Sequence, residues 1–130
     1  MADSVAAYLI TQGLGHRHLD MFVGNAPEHN LDFFLISDTT GLKPTQDYPV
    51  NYPAIQVAYY AQASHYQKAF DKINSAFILL NRKQNIDIGD YDCMFIQAVA
   101  SPQCVGLDRD TKRWLFTFNV IFMVRGTDGQ

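Results

Sequence analysis

The segment 114–124, reading Trp-Leu-Phe-Thr-Phe-Asn-Val-Ile-Phe-Met-Val, constrains this chain more than any other stretch. As a strand it puts Trp114, Phe116, Phe118, Val120, Phe122 and Val124 on one face, and Leu115, Thr117, Asn119, Ile121 and Met123 on the other. Neither face carries a charge, and only Thr117 and Asn119 are polar. A sheet with one wetted face normally shows alternation, so a strand apolar on both sides needs two covers. Helices supply one, and a second subunit or further helices supply the other.

The remaining pattern is that of an α+β chain. Asp3 or Ser4 caps a short helix with Val5, Tyr8, Leu9 and Ile10 along one side, stopped by Gly13 and Gly15. Strands are expected at 19–23, 31–37, 54–60 and 91–99, with Ile86 and Ile88 before Gly89-Asp90 starting a hairpin. The clearest element is a helix after Ser64, where Ser64 and Gln67 form a capping box. In it Tyr66, Ala69, Phe70, Ile73, Ala76, Phe77 and Leu80 recur at spacings of three and four. Residues 38–53 hold three prolines and a glycine, which exclude a helix or central strand through most of the stretch and mark a contact loop. Residues 101–112 read as a polar loop. The expected architecture is a single small domain over 1–130: a mixed, mostly antiparallel sheet of four to five strands with two helices packed on it.

Composition narrows the function classes. With 130 residues the chain has a single-domain length, able to bury roughly two thirds of its unfolded surface. A formal net charge of −3 argues against gripping nucleic acid. Two cysteines, Cys93 and Cys104, make no disulfide framework and read as buried or half-buried thiols in a reducing cytoplasm. No leader pattern or membrane-length apolar run stands out, so the expected location is cytoplasmic until assembly.

The candidate chemistry is thin. His16-Arg17-His18 with Asp20 sets two imidazoles near a carboxylate but marks no further ligand, so exposed loop histidines are the simpler reading. Asp108-Arg109-Asp110 lacks the glycine and glutamate of a calcium loop and reads as a solvated turn. Asp87, Asp90 and Asp92 surround a turn, where aspartate makes local hydrogen bonds. Neither cysteine has a neighbouring base, and no glycine loop cradles phosphate. The chain is expected to have no catalytic site, no metal and no cofactor.

Three ordered segments carry a resemblance. The first runs from Asn25-Ala26-Pro27-Glu28 to Asp38-Thr39-Thr40-Gly41. The second is Tyr52-Pro53-Ala54-Ile55-Gln56-Val57 followed by Tyr66, Ala69 and Phe70. The third is Ser101-Pro102, Gly106 and Asp108, then Arg113, Phe116, Asn119 and Phe122. Together they resemble the bacteriophage tail-terminator group, minor capsid proteins of the head–tail neck. The loop before Tyr52 is longer and richer in tyrosine than that pattern. The resemblance implies a homohexameric ring on the last turn of a tail tube, which stops polymerisation and meets the head-completion or connector protein. Its partners would be itself, the tail tube protein and the connector, with DNA passing through the lumen unread and no membrane. A mildly acidic chain suits such a lumen. The location implied is the virion, reached from the host bacterial cytoplasm. Alternatives are a head-completion or stopper protein, and a small ligand-binding or enzymatic α+β domain. Contact residues expected from the loops are Lys43, Asp47, Tyr48 and Tyr52 toward tube or connector, and Arg109, Lys112, Arg113 and Trp114 toward an acidic neighbour.

Overall fold

A computed structural model describes residues 1–17, 19–25, 32–42 and 50–125, with side chains described for all of these except 40–42. In chain order the elements are α1 (Ala2–Thr11), β1 (Met21–Val23), β2 (Phe33–Leu42), β3 (Val50–Gln62), α2 (Tyr66–Leu80), β4 (Lys83–Ile88), β5 (Tyr91–Ala98), β6 (Gln103–Asp108) and β7 (Arg113–Arg125). The strands form one sheet in the order β1-β2-β3-β7-β5-β4, with β6 also pairing β7. Only β1 and β2 run parallel.

Register decides which side chains share a face. Ile36 opposes Val57, Val57 opposes Phe118, and Ile96 opposes Phe122. These residues are buried with Val5, Ala6 and Leu9 of α1 and Ala69, Ile73, Ala76 and Leu80 of α2 in one core. Both helices therefore cover the same face. Among the described residues no helix packs on the other face, where Phe95 pairs Met123, Gln97 pairs Ile121 and Tyr60 pairs Leu115, and where Phe33 and Ala58 are nonetheless buried. The two-sided apolarity of β7 is thus met on one side by helices and on the other left half-exposed at Leu115, Ile121 and Met123.

Seven strands among the described residues exceed the four to five expected from sequence. One addition is β4, which makes the anticipated hairpin with β5. The other is β6, in the stretch read as a polar loop. Its six residues sit at an edge, five of them exposed, so no alternation marks the strand and the ladder to β7 alone holds it. Cys104 lies in β6 and is exposed, contrary to the expectation of a half-buried thiol. The supposed loop 38–53 also gives up both ends to β2 and β3. Pro53 fits inside central β3 because it falls where neither neighbour pairs, at a register shift opposite β2.

Helix starts differ too. α2 has His65 at its N-cap and no side-chain cap, so the Ser64–Gln67 box does not form; Gln67 donates to Asp71 instead. The helix start is tied down through side chains by Asp32, whose own side chain is only 3% exposed. Its Oδ1 accepts the Gln62 N–H at 2.9 Å, and its Oδ2 meets His65 Nδ1 at 2.7 Å and Lys68 Nζ at 3.0 Å. One carboxylate thereby ties the start of β2 to the end of β3 and the first turn of α2. Burial pushes this carboxyl up, but the Gln62 N–H, the Lys68 ammonium and the His65 ring outweigh it and hold it below its ordinary range. α1 begins at Ala2, ahead of both expected caps, and the Ala2 N–H donates to Asp38 Oδ1 at 2.9 Å.

Candidate assembly interface

The helix-free face is the first of two surfaces that stand out. Toward β1 its aromatic rings satisfy one another: Phe33 stacks on Tyr60 at 4.9 Å and takes Phe22 edge-on at 5.8 Å. The Arg113 guanidinium lies over the Phe33 ring at 5.2 Å, a cation–π contact that spreads Arg113 along the sheet. Toward β5 the face dips into a hollow of about 310 Å3. Tyr52, Phe95, Gln97, Val99, Ile121 and Met123 line it, contributed by β3, by β5 with the residue after it, and by β7. Val99 at its rim is 64% exposed. A chain that leaves valine, isoleucine, methionine and phenylalanine around a concavity forgoes stabilisation that a covering partner restores, at about 25 cal/mol per Å2.

The second surface is the β6–β7 hairpin. β5 and β6 run one after the other along β7, broken at 99–102, where the Val99 N–H still reaches the Asn119 carbonyl at 2.8 Å. β6 offers Val105 and Leu107 to solvent. The turn after it is closed by the Lys112 N–H on the Asp108 carbonyl at 2.8 Å, with Lys112 in the left-handed region at φ 59°. Asp108 Oδ1 accepts the Asp110 and Thr111 N–H groups at 2.8 and 3.3 Å, so Asp108 shapes its own turn. At the base, Trp114 Nε1–H donates to the Ala63 carbonyl at 2.9 Å, and the indole meets Tyr66 edge-on at 5.0 Å.

At the far end of β7 three aspartates gather. Asp87 and Asp92 face each other across β4 and β5, and Asp90 sits in the turn between. Arg125 Nε holds Asp92 at 2.9 Å. Cys93 is buried beside this cluster, and burial, followed by Asp92 and Asp87, pushes its thiol up to about 11. Among the described residues no three metal-ligating side chains converge. At the His16 segment, Asp20 Oδ1 accepts the His16 N–H and Arg17 pairs with Asp3.

The residues expected from sequence fall in different places. Tyr52 borders the hollow, Arg109 and Lys112 are exposed on the hairpin turn, Arg113 lies on Phe33, and Trp114 braces the hairpin base. Lys43, Asp47 and Tyr48 lie outside the described residues. Sequence reasoning missed Phe95, Val99, Val105 and Leu107 as surface-forming residues; for Ile121 and Met123 the two-sided apolarity of the last strand was the available signal.

No protein-family model matches the chain, and no curated protein matches it either. Among solved structures seven chains match. One belongs to a structure described as the virion of native gene transfer agent (GTA) particle, with a TM-score of 0.60 and 9% sequence identity, over 96% of this chain and 87% of that chain. Over nearly its whole length, then, this chain shares the fold of a chain in that virion structure.

Proposed function

We propose that this chain is a structural virion protein that forms a ring, of six copies in the form implied by the sequence resemblance, at the head-proximal end of a phage-type tail tube. There it ends tube polymerisation and presents a surface to the head connector. The observation that carries this reading is the likeness of fold to a virion-particle chain across 96% of the sequence. The three ordered motifs that resemble tail terminators point the same way. A sheet apolar on both faces with helices on one only supports assembly with other chains. The chain works through surfaces and carries out no reaction: Asp32 and His65 are engaged in joining elements, and Cys93 is sealed in the core. Its partners are other copies of itself, the tube subunit and the connector, with DNA passing through unread.

Electron microscopy of particles made with this gene interrupted early tests the reading. Headless tails of uncontrolled, excessive length are the expected result. Tails of normal length that fail to join heads would assign a stopper or connector role instead. Intact, infectious particles would overturn the structural reading and direct the search to a ligand or substrate.

A further inference from the structure

The hairpin and the helix-free face of one chain are complementary, and the geometry points to a head-to-tail contact in which the β6–β7 hairpin of one copy lies across the helix-free face of the next. This rests on the ring reading above and names the surfaces that close the ring.

The hairpin carries Val105 and Leu107 on its edge strand, 63% and 40% exposed. Just beyond them come Arg109 and Lys112, exposed and in no ion pair among the described residues. The receiving part is the hollow of about 310 Å3 walled by Phe95, Val99, Ile121 and Met123. At its β4–β5 end the carboxylates gather. Arg125 already holds Asp92 there, which leaves Asp87 and Asp90 as the free anions.

Arg109 follows two residues after Leu107 at the start of the turn, and Asp92, which pairs Asp87, lies three residues from Phe95 along β5. Aliphatic side chains seated in the hollow bring Arg109 and Lys112, two cations on a turn of balanced charge, toward the Asp87–Asp90 turn. Asp108 does not oppose this, being turned onto the N–H groups of its own turn. Asp110 is the one other exposed anion on the turn. Knob and socket occupy different places on the same chain, at opposite ends of β7. The contact is thus heterologous, the kind that repeats by rotation into a closed ring, and a second copy is the occupant.

Sedimentation velocity on the full chain tests the contact with two variants, R109E/K112E on the hairpin and D87K/D90K on the face, and with all four substitutions combined. Placing like charges together should weaken self-association about tenfold or more in either variant, and the combined chain should recover most of it. Circular dichroism and melting confirm that each variant is folded. A folded variant that associates like the parent, a combined chain that stays dissociated, or a parent that is monomeric up to millimolar concentration would each overturn the contact. As a second readout, Gln97→Cys places a thiol on the helix-free face to meet the exposed Cys104 of the neighbouring hairpin. Mild oxidation should then give a ladder of linked chains that the parent does not give, and its absence from an associated sample overturns the docking pose. Tail length in the gene-interrupted particles judges the ring reading separately, so a failed contact and a failed function give different results.

Discussion

Replacing Asp32 with alanine removes one small side chain and disconnects three elements. The Gln62 N–H loses its acceptor, at about 1–3 kcal/mol for a donor left without a partner. The contacts to His65 and Lys68 involve side chains 39% and 50% exposed, so solvent screening limits each to about 0.5–1 kcal/mol. The sum is about 3 kcal/mol, equivalent to roughly 10 °C in Tm for a chain of this length. Asp32→Asn keeps a carbonyl for the Gln62 N–H and should lose about half as much. The carboxyl sits below its ordinary value of 3.8 in the folded chain, so its contribution is fully present above that value and disappears as pH falls through the lower folded pKa. Urea melts of parent, Asn and Ala chains at pH 7, 5 and 3 should show a constant gap at the first two and a narrowing one at the third. An alanine chain within about 0.5 kcal/mol of the parent at pH 7, or a gap that widens in acid, would refute the reasoning.

Gly89→Ala should cost about 2 kcal/mol or more in a denaturant melt, because Gly89 has φ 59° and an added Cβ would lie 2.6 Å from Ser4 Oγ. At pH 8 a thiol reagent followed by mass spectrometry should label Cys104 in the native chain and reach Cys93 only on unfolding, since Cys93 is buried with its thiol pushed up to about 11. Trp114→Phe should lose about 1 kcal/mol with the hydrogen bond to Ala63, and Trp114→Ala about 2–3 kcal/mol as the brace on Tyr66 goes too; thermal melts of both variants separate the two terms.

What the sequence revealed followed the range of the interaction responsible. α2 is readable from 66 to 80 because helical periodicity is local and its apolar stripe is unbroken. The last strand is readable because both of its faces are apolar. Its neighbour β6 is hidden, since an exposed edge strand held only by a ladder leaves no pattern in its own residues. The capping box at Ser64 is locally sound and still does not form, because the helix starts one residue later with His65 at its N-cap, held by a carboxylate some thirty positions earlier. The hollow depends on register: Tyr52, Phe95 and Ile121 become neighbours only once β3, β7 and β5 are aligned. The aspartates at 87, 90 and 92 were visible as turn residues, but the pairing of Asp87 with Asp92 and the reach of Arg125 to Asp92 appear only in three dimensions.

β7 has a mechanical consequence as well. It runs about 40 Å at 3.3 Å per residue from the hairpin turn to Arg125, bonded along its length to β3 and, on the other side, to β6 and then β5. A pull on the hairpin directed along that axis strains the ladder in shear, so many hydrogen bonds resist together. The same pull at right angles would peel β6 away one bond at a time. A subunit gripped by its hairpin is therefore stiff in one direction and compliant in the other.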